Sequence, residues 1–246
     1  MEKFLAEVFG TGALILLGDG VVAGVLLARS KSQNAGWIVI TMGWGLAVMV
    51  GVYIAGPISG AHLNPAVTIG MAMIGSIPWS QVLWPYLSGE FVGAFLGAVI
   101  VYLAYLPHWA LTEDPGLKLA VFSTGPAVRN PIANLITEIV GTFMLLFGIL
   151  AIISGPGVGS GVGAFIIGLL IVSIGLSLGG PTGYAINPAR GLGPRIAHFL
   201  LPIAGKGSSD WQYAWIPVVG PIIGGVLGAL AYHAIFTNYA NLIIPK

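Results

Sequence analysis

Two copies of an Asn-Pro-Ala triplet are the most distinctive polar groups in this apolar chain. They are Asn64, Pro65 and Ala66 in the first half and Asn187, Pro188 and Ala189 in the second. Asparagine is a favoured helix N-cap and proline a favoured first helical residue, so each triplet predicts the start of a helix. The alternative is a pair of surface turns, which Asn-Pro also favours, but the apolar surroundings leave neither copy an aqueous surface.

Three charged side chains are candidates for a function. Arg190 follows Asn187 by three residues, and its fork of donors suits hydroxyl oxygens and repels cations. The alternative is a guanidinium that reaches out to lipid headgroups. Glu7 and Glu138 occupy equivalent places in two similar segments. A buried carboxylate needs hydrogen-bond donors, so we expect both to anchor the loops that lead into the two helices. A proton relay is the alternative.

Apolar residues dominate the composition. The 246 residues are 57% hydrophobic and 7% charged, whereas a typical soluble domain is about 25% charged. This predicts an integral membrane protein in a lipid bilayer, with little room for a soluble domain. The net charge of +1 indicates no nucleic-acid partner. Without cysteine, ligand-like histidine spacing or a nucleophile–base set, we expect no metal site, no cofactor and no enzymatic activity.

Six apolar stretches are long enough to cross a bilayer as helices of roughly 20 residues. They lie near residues 4–28, 36–56, 82–106, 132–153, 161–180 and 212–236. Shorter stretches near 65–75 and 188–201 follow the triplets and are predicted to be re-entrant half-helices. Irregular backbone at membrane depth survives only where protein or a water-filled cavity covers it. The predicted fold is therefore all-α, and the loops entering the half-helices are expected to line a cavity.

The chain is predicted to be a single transmembrane domain made of two similar halves. These are about residues 1–106 and 132–246, joined by a loop at 107–131. Each half has three spans and one half-helix, and an odd number of spans inverts the second half. The half-helices then meet near the midplane with their positive N-termini facing. Asn64 and Asn187 add amide donors, so the junction is predicted to admit uncharged polar solutes and to exclude cations.

The orientation is not decided by charge. Six spans place both ends on one side, with Lys3 and Lys246, while the turns at 76–81 and 154–160 carry no charge.

Glycines recur every four residues in the third and sixth spans, a spacing typical of closely packed membrane helices. They are Gly89, Gly93 and Gly97, and Gly220, Gly224 and Gly228.

Together these features resemble the aquaporin family over essentially the whole chain. The specific signature is the doubled Asn-Pro-Ala in an inverted repeat, with an arginine three residues after the second asparagine. Within the family the chain looks like the glycerol-facilitator branch, the aquaglyceroporins. Arg195 and the pair Pro217-Val218 fit that branch. By this resemblance, the four positions of an outer selectivity filter are Trp44, Gly175, Tyr184 and Arg190.

The resemblance also implies how a polyol passes. Trp44 and Tyr184 would face its carbons, and Gly175, which has no side chain, would leave width. Backbone carbonyls would line the lumen and serve the hydroxyls, namely those of Gly60, Ala61, His62, Thr182, Gly183 and Tyr184. The family further implies a homotetramer in the plasma membrane, with both termini in the cytoplasm.

Three positions depart from the branch. Tyr184 replaces the usual phenylalanine, so a hydroxyl is expected in the constriction beside Trp44. Gly191 replaces the usual aspartate, and Gly125 stands where tyrosine is common. The first departure leaves the preferred solute open.

The expected function is a passive channel that conducts glycerol and related small uncharged solutes, with water, and excludes ions and protons. Tyr184 motivates an alternative, a channel preferring water or another small neutral molecule such as dihydroxyacetone, hydrogen peroxide or a protonated short acid. An ion-coupled secondary transporter also uses inverted repeats and broken helices. Two facing helix N-termini disfavour the cation site that such a transporter needs.

Overall fold

The structure, a computed structural model, describes residues 1–155 and 160–237, and these form ten α-helices without a β-strand. Lys246, residues 156–159 of the uncharged turn and the end of the second half lie outside the described residues. The helices are α1 (Glu2–Leu26), α2 (Trp37–Ser59), α3 (Pro65–Met73), α4 (Ser88–Ala104), α5 (Leu106–Leu111), α6 (Pro115–Phe122), α7 (Pro131–Ser154), α8 (Ser160–Leu178), α9 (Pro188–Leu200) and α10 (Ile216–Tyr232).

Six helices in the described part of the chain are long and apolar enough to cross a membrane, which confirms the predicted all-α fold. They cover Glu2–Leu26, Trp37–Ser59, Trp79–Ala104, Pro131–Ser154, Gly161–Leu178 and Ile216–Phe236, with ends a few residues from those predicted. The third begins with irregular helical turns before α4. The half-helices α3 and α9 have 9 and 13 residues, too few to span.

The link between the halves, expected to be a loop, contains the helices α5 and α6. Asp114 caps α6 by accepting a hydrogen bond from the Gly116 N–H at 2.7 Å. Trp109 and Phe122 are buried, and their rings stack at 5.4 Å. The sequence interpretation missed these helices because segments of six and eight residues are too short to show an apolar period.

The glycine ladders hold the first and last spans of each half together. In the first half a Cβ at Gly93 would collide with the Val8 carbonyl of α1, and in the second a Cβ at Gly224 would collide with the Ile139 carbonyl of α7. The two halves then meet where α2 crosses α8. There, Gly45 and Gly168 lie so close that a Cβ on either would reach the carbonyl of the other. Close backbone packing is thus the main contact within and between the halves.

Each half-helix packs against the last span of the opposite half. α3 lies on α10, where a Cβ at Gly70 would come within 3.2 Å of the Gly225 carbonyl oxygen, and α9 lies on α4, where Gly193 faces Ala94. This exchange of partners interlocks the two halves. It also fixes the two half-helices end to end in the middle of the molecule.

Candidate functional site

Both half-helices begin at the asparagine of their triplet. The Asn64 side chain accepts a hydrogen bond from the Ala66 N–H at 2.9 Å, and Asn187 accepts from the N–H groups of Ala189 and Arg190 at 2.9 and 3.2 Å. A proline occupies the start of each helix, where its missing N–H leaves no bond unmade. The N-caps are therefore formed as the triplets predict.

The same two asparagines tie the halves to each other. Asn64 Nδ2 donates to the carbonyl oxygen of Ile186 at 2.8 Å, and Asn187 Nδ2 donates to that of Leu63 at 2.8 Å. The reciprocal bonds bring the two helix N-termini face to face, so their partial positive charges reinforce each other. Each carboxamide keeps a second N–H, and both asparagines border the central cavity.

Glu7 contacts the loop between α2 and α3. Its Oε1 accepts hydrogen bonds from the Ser59 hydroxyl at 2.6 Å and the His62 N–H at 3.1 Å, and its Oε2 accepts one from the Leu63 N–H at 2.7 Å. The carboxylate is fully buried. Hydrogen bonds to a charged group are among the stronger ones, so the loop is held at three points.

Glu138 contacts the loop before α9 in the same way. Its Oε1 accepts from the Thr182 hydroxyl at 2.7 Å and the Ala185 N–H at 3.0 Å, and its Oε2 accepts from the Ile186 N–H at 2.9 Å. The three donors occupy the places that Ser59, His62 and Leu63 hold in the first half. The geometry of the anchors is thus repeated in detail.

The backbone of both loops is in the left-handed region at several residues. The φ angles are 54° at Ala61, 56° at Leu63, 39° at Tyr184 and 42° at Ile186. Non-glycine residues adopt such angles at a cost of roughly 1–2 kcal/mol each, which the anchoring bonds offset. Within the described residues, the carbonyls of 60–62 and 182–184 accept no hydrogen bond. They therefore remain available as acceptors.

A cavity of about 130 Å³ runs beside these loops. One wall is polar and holds Asn64, Asn187, Arg190 and most of the candidate lumen residues, which are Gly60, Ala61, His62, Gly183 and Tyr184. The aliphatic part of the lining comes from α2, α7 and α8 and is made mainly by Val48, Val52, Leu145, Ile149, Ile167 and Ile171. Thr182, Gly175 and the prolines and alanines of the triplets do not line this cavity.

Trp44 and Arg190 meet at one end of the cavity. The guanidinium carbon lies 4.3 Å from the centroid of the Trp44 ring, a distance typical of a cation–π contact. Both side chains are almost fully buried, with 5% and 6% of their surface exposed. Asp19, to which the sequence assigned no role, places a carboxylate oxygen 3.8 Å from Arg190 Nη1.

Tyr184 packs against a different tryptophan from the one expected. Its ring meets Trp37 edge-on at 5.8 Å, whereas Trp44 faces Arg190. Trp37 Nε1 donates to the Gly175 carbonyl at 3.0 Å, and a Cβ at Gly175 would lie 2.7 Å from Tyr184 Cζ. The width attributed to Gly175 is therefore filled by the tyrosine ring. The hydroxyl is buried and has no hydrogen-bond partner in the described part of the chain.

Gly191 and Arg195 have structural explanations. A Cβ at Gly191 would lie 2.9 Å from the Cβ of Pro217, so this chain has no room for the usual aspartate. Arg195 is fully buried and donates to the carbonyls of Ser209 and Thr124 at 2.5 and 2.9 Å. It thereby joins α9 to the loop that follows α6 and to the loop that precedes α10.

A buried polar chain supports the first half-helix, and sequence reasoning missed most of it. His62 Nδ1 and Thr68 Oγ1 lie 2.9 Å apart, and Thr68 donates to Glu90 at 2.6 Å. The Tyr86 ring stacks on His62 at 4.3 Å. In the sequence, only Glu90 of this group is marked as unusual, because it is a charged residue within an apolar span.

The aromatic and charged side chains at this end of the cavity are not repeated. At the spacing that relates Asn64 to Asn187, Arg190 corresponds to Val67 and Tyr184 corresponds to Ala61. The residue that corresponds to Trp44 is Ile167, which also lines the cavity. The N-caps and loop anchors are therefore repeated, whereas the candidate filter residues are not.

The fold and this site define a multi-pass integral membrane protein built around a narrow passage between two facing half-helices. The chain belongs to the major intrinsic protein family, whose model matches residues 1–232.

Sequence relatives and a solved structure agree with this assignment. The chain is 61% identical over 236 residues to a probable glycerol uptake facilitator protein of Thermotoga maritima, covering 96% of this chain and 100% of the relative. It is 56% identical over 239 residues to the glycerol uptake facilitator protein of Bacillus subtilis, covering 97% and 86%. The structure of the aquaglyceroporin from Plasmodium falciparum is similar with a TM-score of 0.87, at 28% identity and 98% coverage of both chains.

Proposed function

We propose that this protein is a passive channel that conducts glycerol and related small uncharged solutes, together with water, and excludes ions and protons. The observation that carries the proposal is the lining of the cavity, which combines free carbonyls and amides with aliphatic side chains. A polyol has a hydroxyl edge and a carbon edge, and each meets a matching surface there. The printed names of the relatives agree with this choice of solute.

In this proposal the filter is Trp44, Gly175, Tyr184 and Arg190. Arg190 donates to solute hydroxyls, and the Trp44 and Tyr184 rings face the carbons. Because Gly175 has no side chain, the Tyr184 ring packs against its backbone and borders the passage without blocking it. The carbonyls of 60–62 and 182–184 replace the water that a solute loses on entry, and Asn64 and Asn187 donate at the midplane.

Exclusion of ions follows from the same groups. The two helix N-termini and Arg190 make the field positive, which opposes cations. Among the described residues that line the cavity none carries a carboxylate, so a cation finds no charged ligand. The aliphatic part of the lining offers no donor to replace the hydration shell of an anion.

Stopped-flow light scattering on proteoliposomes tests the proposal. Glycerol and water permeability are measured in one preparation, with protein-free vesicles as the control. We expect both to rise, with glycerol flux linear in its gradient and unaffected when proton and sodium gradients are dissipated. Water flux without glycerol flux would show a water-preferring channel, and saturable flux that depends on a gradient would show a transporter.

We further propose a single channel domain with halves at about 1–106 and 132–246, which assembles as a homotetramer in the plasma membrane with both termini in the cytoplasm. The family supports this, and the broad apolar outer faces of the spans leave surface for both lipid and neighbouring copies. Light scattering in detergent should give a mass of about four chains. Proteolysis of sealed right-side-out vesicles should spare the N-terminus.

A further inference from the structure

Asp19 is a buried carboxylate to which the proposed function assigns no role. It lies in α1 with 0% of its surface exposed, and neither of its oxygens has a hydrogen-bond partner within residues 1–155 and 160–237. A charge buried in this way is costly unless another charge balances it. The balancing group is Arg190, whose Nη1 lies 3.8 Å from Asp19 Oδ1 and is likewise without a hydrogen bond there.

The residue before Asp19 builds the same wall. A Cβ at Gly18 would run into the ring of Trp44, so the glycine lets the indole lie directly against α1. Trp44 in turn faces the Arg190 guanidinium. Gly18 and Asp19 are consecutive residues of α1. Gly18 lets the Trp44 ring lie against Arg190, and Asp19 supplies the opposite charge.

The pair is absent from the repeated scaffold. At the spacing that relates Glu7 to Glu138, Asp19 corresponds to Leu150. At the spacing that relates Asn64 to Asn187, Arg190 corresponds to Val67. The two carboxylates that anchor the loops, Glu7 and Glu138, recur in both halves, whereas Asp19 does not. Asp19 occurs only at the end that holds the filter, which indicates a role in the filter.

Glu138 is the other carboxylate that interacts electrostatically with Arg190. It already accepts three hydrogen bonds from its own loop. In the described part of the chain, Asp19 is therefore the carboxylate left to balance the guanidinium and to fix its position.

We propose that Asp19 is a positioning residue that holds the Arg190 guanidinium against the wall beside Trp44. The inference rests on the proposed function, because it takes Arg190 to be a filter residue. Arginine has five donors and no acceptor. Without the carboxylate, the carbonyls of Gly183 and Tyr184, which line the same cavity as Arg190, are unused acceptors for the guanidinium. A guanidinium turned toward them narrows the passage more for a polyol than for water.

The test compares four proteins in proteoliposomes: wild type, Asp19→Asn, Arg190→Ala and the double variant. We expect Asp19→Asn to lower the glycerol-to-water permeability ratio by about threefold or more, because neighbours that share one interaction are strongly coupled. Arg190→Ala removes the positive charge and leaves Asp19 unbalanced, so proton and potassium leakage should rise. The double variant should leak about threefold less than Arg190→Ala and melt at a higher temperature.

The control is Glu2→Gln, which removes an exposed carboxylate from the same helix as Asp19. It should leave the permeability ratio as in wild type. The ratio does not depend on how much protein has folded, and the double variant supplies the comparison if Asp19→Asn folds poorly. An unchanged ratio in Asp19→Asn, or equal leakage of Arg190→Ala and the double variant, would overturn the inference while the proposed function stands. Wild-type ratio and ion-tightness in Arg190→Ala would instead remove Arg190 from the filter and overturn both.

Discussion

Side chains in the proposed filter depend on the space that their neighbours leave. The Tyr184 ring fits beside the passage because Gly175 has no side chain. Trp37 packs edge-on against the ring and donates a hydrogen bond to the Gly175 carbonyl. The tyrosine hydroxyl is left buried and unpaired within the described residues. A phenylalanine would fill the same place without that unsatisfied oxygen.

Tyr184→Phe should therefore leave the glycerol-to-water ratio unchanged and raise the free energy of unfolding, by up to about 1–3 kcal/mol. Thermal denaturation and stopped-flow permeability measure the two effects. Tyr86→Phe is the matched control. Its hydroxyl donates to the Ser59 carbonyl at 2.6 Å, so its loss should destabilise the protein by about 1 kcal/mol. A changed ratio in Tyr184→Phe would show that the hydroxyl reaches the lumen.

The re-entrant loops are elements that owe their shape to the spans behind them. Left-handed residues leave the carbonyls of 60–62 and 182–184 free to face a solute, and the buried carboxylates of α1 and α7 bind the N–H groups on the other side of the chain. Secondary structure cannot supply these bonds, because the loops are irregular. The carboxylates therefore stabilise a conformation that the loop residues alone disfavour.

Glu7→Gln and Glu138→Gln should each lower the free energy of unfolding by about 1.5–3 kcal/mol, because an amide nitrogen then faces a backbone N–H. Glycerol and water permeability should fall together, since the whole loop loses its support. Thermal melting and stopped flow give both values. Glu2→Gln, at an exposed position of α1, is the control and should behave as wild type. Full stability and flux in both anchor variants would show that the carboxylates do not hold the loops.

The molecule as a whole is closed by contacts between its halves. α3 packs on α10 and α9 packs on α4, so each half-helix packs mainly against a span of the opposite half. The bonds from Asn64 to Ile186 and from Asn187 to Leu63 complete the junction at its centre. Neither passage nor filter exists in one half alone.

Asn64→Asp separates the capping role of this residue from its role in the junction. Aspartate is an equally good N-cap, but it cannot donate to the Ile186 carbonyl and places two acceptors against each other. The free energy of unfolding should fall by at least about 1–3 kcal/mol, with loss of flux for every solute. Asn130→Asp is the control, because Asn130 caps α7 at an exposed position before a proline. It should change stability by less than about 0.5 kcal/mol, and an equal loss in both variants would contradict a special role for the junction.

The sequence by itself determined the features that depend on near neighbours and on the repeat. Apolar length predicted the six spans, the N-cap and proline chemistry predicted where α3 and α9 begin, and the repeat matched Glu7 with Glu138. These signals are local or are doubled in the chain, so no knowledge of packing is needed to see them.

Only the tertiary structure decided which residues meet across the helices. Three sets of contacts join residues that are far apart in the chain. They are the Asp19–Arg190 pair, the packing of Tyr184 against Gly175 and Trp37, and the reciprocal bonds of the two asparagines. Tyr184 was expected beside Trp44 because both were assigned to one filter. The rotation and close approach of α2 and α8 instead turn Trp37 toward it. Such contacts follow from how the glycine-lined helices pack, which no single segment of sequence contains.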